Sequence, residues 1–236
     1  MAGIVIFDVD GTLTHSTGID DTCLCVAWER VLGARNVDTD WTRYAHSTDE
    51  GLTLEVCQRA CGRAPSAGEV ARVKREFFAV LDERIAGAPE CCRAVPGAGE
   101  LLGALREAGW RIGLASGAWE ESARIKLGRA GVDVAGFPGT FSHARPDGEP
   151  AVREEIVAAT LRALGAGERS AGDARAVYVG DGPWDARAAR ALNLGFVGVR
   201  VDDRHDRLRA QGASFILRDY SNTGAAIAAI EQAGRA

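Results

Sequence analysis

Two short segments of the chain are rich in side chains that can do chemistry: Asp8-Val9-Asp10-Gly11-Thr12 and Gly180-Asp181-Gly182-Pro183-Trp184-Asp185. In the first segment, two carboxylates two residues apart share one side of an extended chain, and the glycine after them permits a turn. In the second segment, two carboxylates lie about one helical turn apart. Carboxylates in such pairs serve as nucleophiles, as general acids and bases or as ligands of hard cations.

The elements that must position these acids are short apolar runs, each of which ends where the polar residues begin. Residues 4–7 read Ile-Val-Ile-Phe, and the second segment follows a run at 176–180. A third run, at 110–115, ends at Ser116 and Gly117. Continuous apolar runs are typical of strands buried on both faces of a parallel sheet, and ligands bind beyond the carboxyl ends of such strands. The sequence therefore predicts that these polar residues meet at one sheet edge.

The rest of the chain predicts an α/β fold, a doubly wound and mainly parallel sheet with an inserted α-helical domain. From residue 96 onward, the apolar spacing predicts helices near 98–108, 119–130, 152–164, 184–192, 205–211 and 223–233 and further strands near 139–142, 195–199 and 214–217. Between about residues 17 and 88 no comparable strand is predicted. There, the helical spacing of apolar residues after a capping box of Ser66 and Glu69 predicts a long helix.

Four carboxyl groups that converge on one edge of a sheet repel one another unless they are protonated or bridged by a cation. A hard divalent cation with oxygen ligands resolves this repulsion, and Mg²⁺ is the expected one. Asp181 or Asp185 alone could be explained as a helix cap, so it is the ordered set of three segments that indicates a site. We therefore expect Mg²⁺ to bind among Asp8, Asp10, Asp181 and Asp185.

The composition is that of an ordinary globular protein. The chain has 236 residues, of which 46% are hydrophobic and 26% are charged, and its net charge is -5. This length predicts one or two domains with a sizeable core. Because no basic face stands out and no apolar run approaches a membrane span, we expect no nucleic-acid or membrane partner and a cytoplasmic location. The cysteines, all within residues 23–92, are expected to be reduced.

Together, these motifs resemble those of the haloacid dehalogenase superfamily. The resemblance rests on Asp8-x-Asp10-Gly11-Thr12, on Ser116 after an apolar strand and on Gly180-Asp181-x-x-x-Asp185. It covers nearly the whole chain and points to the subgroup of phosphoglycolate phosphatase and β-phosphoglucomutase-like proteins, which carry a helical cap. It implies an α/β core domain of residues 1–16 and 92–236 and a cap domain of residues 17–91.

The resemblance also implies roles for the polar residues. Asp8 would be the nucleophile that forms an aspartyl-phosphate, and Asp10 would be the general acid and base. Ser116 would donate to the phosphoryl oxygens, with the backbone N–H of Gly117 as a helper. Thr12 would support the turn at Asp10 and belongs to the same phosphate-binding group.

The resemblance gives the carboxylates a second role, as Mg²⁺ ligands. Asp8, the backbone carbonyl of Asp10 and Asp181 would bind the ion, and Asp185 would bind it directly or through water. The implied cofactor is therefore Mg²⁺, as the convergence of acids also predicts.

The chain departs from the family pattern at one position. The family usually places a lysine between the second and fourth motifs, and residues 127–236 contain no lysine. If that role is filled, an arginine must fill it, and the candidates are Arg153, at the start of the predicted helix 152–164, and Arg145. The alternative for Arg153 is a surface ion pair with neighbouring acidic residues and no role in the site. Arginine supplies the same charge and can grip a phosphate with two N–H groups.

In the superfamily that the chain resembles, the cap closes over the site and sets specificity. The polar loop of residues 41–49 is predicted to join two cap helices, and its Tyr44 and His46 are candidates for contacting the leaving group. His46 is equally compatible with a place beside a helix and no ligand role. His15, soon after the first motif, is a candidate for the entrance of the site.

The function that the resemblance implies is that of a Mg²⁺-dependent phosphatase, a phosphoric monoester hydrolase, acting on a small phosphorylated metabolite. A β-phosphoglucomutase-like phosphomutase would use the same motifs. A non-catalytic sensor of a phosphorylated ligand is the alternative from another class, but it would tend to have lost Asp8, Asp10 or Asp181, and all three are present. The motifs do not separate the hydrolase from the mutase, and they leave both a monomer and a homodimer open.

Overall fold

A computed structural model of the chain describes residues 3–166, 175–200 and 206–235. In chain order its strands are β1 (Ile4–Phe7), β2 (Thr14–His15), β3 (Arg93–Ala94), β4 (Arg111–Ala115), β5 (Gly139–Thr140), β6 (Ala176–Gly180), β7 (Gly195–Val199) and β8 (Phe215–Leu217). Six of them form one sheet in the order β5-β4-β1-β6-β7-β8, and every neighbouring pair is parallel. The predicted parallel sheet is confirmed.

Helices follow the strands in the predicted alternation. In chain order they are α1 (Thr17–Leu32), α2 (Asp49–Cys61), α3 (Ala67–Gly87), α4 (Ala98–Glu107), α5 (Glu120–Ala130), α6 (Arg153–Ala163), α7 (Pro183–Ala191), α8 (Asp206–Arg209) and α9 (Thr223–Ala233). From residue 96 onward, each predicted element is present, with ends close to the predicted ones, except that the predicted start of the helix 205–211 lies outside the described residues. Among the residues described, no helix has the length and apolar content needed to cross a bilayer.

The sheet is covered by helices on both faces, because alternate side chains of a strand point to opposite sides. Ile4 and Ile6 of β1 belong to a hydrophobic cluster that α6 and α7 cover, whereas Val5 and Phe7 belong to a cluster that α4 and α9 cover. All four side chains are fully buried. This two-sided burial explains why β1 is a continuous apolar run rather than an alternating one.

Helices α1, α2 and α3 form a separate unit between β2 and β3. Their buried side chains, among them Trp28, Phe77 and Leu81, form a hydrophobic cluster of their own, which Trp119 from the loop after β4 joins. A separate cluster is consistent with a cap of residues 17–91, and we retain that division as a proposal.

Helix α3, of 21 residues, begins at the predicted capping box. The N–H of Ser66 donates to Glu69 Oε2 at 2.8 Å, and the N–H of Glu69 donates to Ser66 Oγ at 3.3 Å. These bonds satisfy N–H groups that have no partner within the helix. Helix α2 ends at Gly62, whose φ of +69° is the left-handed conformation that glycine adopts without strain.

The two connections between the sheet and the helical unit pair with each other. Thr14 of β2 lies opposite Ala94 of β3, and His15 lies opposite Arg93, in an antiparallel ribbon. The sequence does not predict this ribbon, because two-residue strands are too short to show a period.

The cysteines are free thiols in the structure. Cys23, Cys57 and Cys92 are buried, so their side chains contribute to packing.

Phe77→Ala should lower the free energy of unfolding by about 3–5 kcal/mol, the usual cost of truncating a buried phenylalanine. Phe77 is fully buried, and its ring centroid lies 5.9 Å from that of Trp119. Urea unfolding followed by tryptophan fluorescence measures the loss. Phe78→Ala is the matched control, because the neighbouring ring is only partly buried and should cost less. Equal losses in the two variants would contradict the assignment of Phe77 to the centre of this cluster.

Candidate active site

Strands β4, β1 and β6 lie side by side and in register, so the residues that follow them meet at one edge of the sheet. A cavity of about 200 Å³ opens at this edge, between the sheet and the helical unit. Of the predicted site residues, those that line the cavity are Asp8, Asp10, Ser116, Gly117, Arg153 and Asp181. The structure thus brings together residues from all three motifs.

The turn after β1 depends on Gly11. Its φ of +75° lies in the left-handed region, and a Cβ at this position would overlap the carboxylate of Asp181. Glycine therefore allows both the turn and the close approach of Asp181. The next residue, Thr12, is fully buried, and its hydroxyl has no hydrogen-bond partner within the described ranges. Thr12 lies outside the cavity lining, so a contact of its side chain with phosphate stays a prediction.

Asp8, Asp181 and Asp185 form one acidic group. Each offers a carboxylate oxygen, and the three oxygens all lie within 4.8 Å of one another. Asp185 is held in place at both oxygens: the hydroxyl of Tyr178 donates to Oδ1 at 2.9 Å, and the N–H of Gly182 donates to Oδ2 at 3.0 Å. The carboxylate of Asp185 therefore has a fixed orientation toward the other two.

Burial raises the pKa of all three carboxyls, and repulsion from neighbouring carboxylates adds to it at Asp8 and Asp181. Burial is the main cause, and the charge of Asp185 adds to it at Asp8, whose pKa rises to about 7. At Asp181, burial and then the charges of Asp185 and Asp8 raise the pKa. Burial also raises the pKa of Asp185, although Arg153 opposes it. A divalent cation would relieve this repulsion with oxygen ligands, so the acidic group fits a metal ion.

Arg153, the first residue of α6, reaches into this edge and is only 6% exposed. Its Nη1 donates to Asp8 Oδ1 at 3.1 Å, and its Nη2 donates to the carbonyl of Ser47 at 3.1 Å. Its Nε lies 3.6 Å from Asp185 Oδ1. A Cβ on Gly117 would overlap the guanidinium, so glycine leaves room for Arg153 beside the nucleophile candidate.

Arg145, the second candidate for the basic role, lies elsewhere. It is at the surface, where its Nη1 donates to Glu155 at 3.0 Å. It does not line the cavity. Of the two arginines, only Arg153 touches the acidic group.

The carboxylate of Asp10 is held by two donors. Ser16 Oγ donates to Oδ1 at 2.5 Å, and Lys126 Nζ donates to Oδ2 at 2.6 Å. Lys126 is fully buried and also donates to Asp20 at 2.5 Å. Burial disfavours its ammonium, but the carboxylates of Asp10, Asp20 and Asp49 outweigh that cost and raise the pKa of Lys126 above its usual value.

Lys126 and Asp20 lie outside the motifs from which the site is predicted. The available signal is rarity, because Lys74 and Lys126 are the only lysines in a chain whose other basic residues are arginines. Trp184 and Arg200 also line the cavity without having been predicted. Arg200, which follows β7, donates to the backbone carbonyl of Asp181 at 3.2 Å.

The start of α2 docks on the core beside Ser116. The N–H of Asp49 donates to the carbonyl of Gly117 at 2.8 Å, and the N–H of Trp119 donates to Asp49 Oδ2 at 2.9 Å. The N–H of Glu50 donates to Ser142 Oγ at 2.9 Å. These bonds hold the helical unit over the cavity.

The wall that the helical unit gives to the cavity is acidic and partly aromatic. It consists of Thr17, Asp20, Asp21, Leu24, Thr39, Asp40, Trp41, Thr42, Ser47, Asp49 and Leu52. The indole N–H of Trp41 donates to Asp21 at 2.8 Å, and burial raises the pKa of Asp21 to about 6. This wall faces whatever part of a ligand extends away from the strand ends.

The three predicted specificity residues lie outside this cavity. The guanidinium of Arg59 covers the ring of Tyr44 at 3.9 Å, so Tyr44 packs within the helical unit. His15 lies in the ribbon, where burial lowers its pKa. His46 lines a smaller cavity of about 130 Å³ that also touches Arg153. Residue type suggested these three, whereas packing decides which side chains reach the site, and their role in specificity stays a prediction.

Comparison with known proteins identifies the family. Residues 3–193 match the family model of the haloacid dehalogenase-like hydrolases. The chain belongs to this family. The predicted superfamily and the prediction of an enzyme, a hydrolase, are therefore confirmed.

Relatives of this hydrolase extend over almost the whole chain. A phosphoglycolate phosphatase of Rhodospirillum rubrum is 29% identical over 238 residues, which cover 95% of this chain and 90% of the relative. The crystal structure of a hydrolase from Pseudomonas syringae aligns with a TM-score of 0.68 at 23% identity and covers 96% of this chain and 98% of that one. A haloacid dehalogenase family hydrolase from Deinococcus radiodurans, solved with bound phosphate and sodium, has a TM-score of 0.56 at 23% identity and covers 99% and 96%. This chain shares the fold of both structures.

Mg²⁺ should raise the melting temperature of the wild-type protein, because a cation that binds only the folded state stabilises it. The rise should be larger near pH 8 than near pH 6, because protons compete with the cation for carboxyls whose pKa is raised. Differential scanning fluorimetry with Mg²⁺ or EDTA measures both effects. Asp181→Asn should lose the rise, whereas Asp133→Asn, at an exposed loop position, should keep it. An undiminished rise in Asp181→Asn would exclude the acidic group as the binding site.

Proposed function

We propose that this hydrolase is a Mg²⁺-dependent phosphatase that cleaves a small phosphomonoester through an aspartyl-phosphate on Asp8. One observation carries the proposal: a candidate nucleophile, a buried arginine and a second carboxyl group, Asp8, Arg153 and Asp10, line one cavity at the strand ends. Relatives named phosphoglycolate phosphatase support a phosphomonoester as the substrate. A cytoplasmic location and a monomeric or homodimeric state stay predictions.

In the first step, the carboxylate of Asp8 attacks phosphorus, and the bond between phosphorus and the leaving oxygen breaks. Arg153 lies beside the nucleophile and stabilises the negative charge on the phosphoryl oxygens. The hydroxyl of Ser116 and the N–H of Gly117 donate to the same oxygens. Protonated Asp10 gives its proton to the leaving oxygen, so an alcohol departs.

In the second step, Asp10, now a carboxylate, takes a proton from a water molecule that attacks phosphorus. The bond between phosphorus and Asp8 breaks, inorganic phosphate is released, and Asp10 is protonated again. Thr12 supports the turn that carries Asp10. The two steps together hydrolyse the ester and restore every protein group.

The residues that would hold Mg²⁺ are Asp8, Asp181, Asp185 and the backbone carbonyl of Asp10. When bound, Mg²⁺ supplies the positive charge that keeps the nucleophile ionised and offsets its repulsion from the phosphate. Without such a charge, the pKa of Asp8, about 7, leaves part of the nucleophile protonated at neutral pH. The acidic group can therefore bind a cation at the place where Asp8 needs a positive charge to stay ionised.

The wild-type protein should release phosphate in Mg²⁺ from a panel of phosphoglycolate, glycerol phosphate, sugar phosphates and p-nitrophenyl phosphate. Asp8→Asn should lower turnover by about 10⁴-fold or more, because both steps need the bond to Asp8. EDTA should abolish turnover, and Asp133→Asn should leave it unchanged.

Phosphate release and ³¹P NMR together measure this prediction. Turnover that persists in Asp8→Asn would exclude the aspartyl-phosphate mechanism. Conversion of a sugar phosphate into its isomer without phosphate release would show that the protein is a phosphomutase and not a phosphatase.

Arg153→Met should lower kcat/KM for the best substrate by about 10²–10³-fold, the usual loss when a preorganised contact to a developing charge is removed. Arg145→Met should change it by less than about twofold, because Arg145 is a surface residue paired with Glu155. Arg153→Lys should recover part of the loss, since it keeps the charge but not the forked geometry. If instead Arg145→Met were the inactive variant, the basic role would belong to Arg145.

A further inference from the structure

Lys126, which the proposed mechanism does not use, is the centre of a cluster of buried and partly buried charges. Its side chain is fully buried, and its ammonium donates to Asp10 Oδ2 at 2.6 Å and to Asp20 Oδ1 at 2.5 Å. Asp10 lies in the turn after β1, Lys126 lies in α5 and Asp20 lies in α1 of the helical unit. The ammonium of Lys126 therefore links Asp10, the candidate acid and base, to α5 of the core and to α1 of the helical unit.

Lys126 itself does not line the cavity, whereas Asp10 and Asp20, which its ammonium contacts, do. Arg153 already supplies the cation beside Asp8. The contact of Lys126 with the site is therefore made through the carboxylates that it holds.

The hydrogen bonds of Asp10 show what Lys126 fixes. Ser16 holds one carboxyl oxygen and Lys126 holds the other, so two donors set the plane of the group. Each carboxyl oxygen has a further lone pair and stays available to a second partner. Without Lys126, Ser16 would be the one remaining side-chain donor to Asp10 among the described residues, and a single hydrogen bond leaves the carboxyl free to rotate about its side-chain torsions.

We propose that Lys126 is a positioning residue that aims the Asp10 carboxyl at the leaving oxygen and links that aim to the docked position of α1. The inference rests on the proposed phosphatase function. Lys126 keeps its proton throughout: the proton that reaches the leaving oxygen comes from Asp10, and the proton that Asp10 regains comes from water.

The test uses the different needs of two leaving groups. An alkoxide is a poor leaving group and needs the proton of Asp10, whereas p-nitrophenolate leaves without one. Lys126→Met should therefore lower kcat/KM by about 10²-fold for the most reactive alkyl phosphate of the panel and by less than about tenfold for p-nitrophenyl phosphate. The measured constant is kcat/KM, because it reports only the steps up to release of the alcohol and does not depend on hydrolysis of the aspartyl-phosphate.

Arg129→Met is the matched control. Arg129 lies in the same helix, α5, and its Nη2 is 2.7 Å from Asp82 of the helical unit, so it also joins core and cap. It does not contact Asp10 and should leave the ratio of the two kcat/KM values unchanged. Lys126→Arg, which keeps a donor and a charge, should recover part of the alkyl phosphate activity.

Lys126→Met leaves two carboxyls without their cation and could fail to fold. The double variant Lys126→Met with Asp20→Asn removes one positive and one negative charge, so it keeps the buried balance while Asp10 still loses its donor. It should show the same selective loss. Circular dichroism and the melting temperature check that each variant is folded.

The outcomes separate this inference from the proposed function. Wild-type protein that hydrolyses nothing in Mg²⁺ would overturn the proposed function. Active wild-type protein with equal losses on both substrates in the Lys126 variants, or with no loss, would overturn the positioning role alone. The same selective loss of alkyl phosphate activity in Arg129→Met would also overturn the positioning role, because weaker docking of the helical unit would then explain the loss.

Discussion

Buried negative charge at one edge of the sheet is the constraint on which the rest of the structure depends. A parallel sheet places the ends of neighbouring strands side by side, and here those ends carry carboxyl groups within 4.8 Å of one another. Such groups are unstable in a protein interior unless cations and donors compensate them. Within the described ranges, two buried cations are present, Arg153 in the first turn of α6 and Lys126 within α5.

The interactions that compensate the buried negative charge also dock the helical unit on the core. Arg153 bonds to Asp8 in the core and to the carbonyl of Ser47 in the helical unit. Lys126 bonds to Asp10 in the core and to Asp20 in the helical unit. Displacement of the helical unit would therefore remove one hydrogen-bond partner from Arg153 and one from Lys126. Closure of the cavity is thus coupled to the charge pairing of Asp8 and Asp10.

The sequence predicts the features that depend on neighbouring residues. Apolar runs locate the strands, and the residues after them locate most of the site, because strand ends and motifs are local in the chain. Arg153 is predictable only through the family resemblance, which implies a cation between the second and fourth motifs. The partners of Lys126, 116 and 106 residues away, are not, because a helical pattern does not say which distant carboxyls its buried face will meet. Tyr44 and His46 show the converse, since suitable chemistry alone does not bring a side chain to the cavity of the candidate active site.

The place of Trp119 bears on how such a protein can be recombined. Trp119 follows β4 in the core, yet its ring lies in the hydrophobic cluster of α1, α2 and α3, and its backbone N–H binds Asp49. One of the largest buried side chains in the cluster of the helical unit thus comes from the loop after β4 of the core. An exchange of caps between related enzymes at the two connecting strands would leave that side chain behind. A transfer that keeps this packing must therefore include the loop after β4 together with the helical unit.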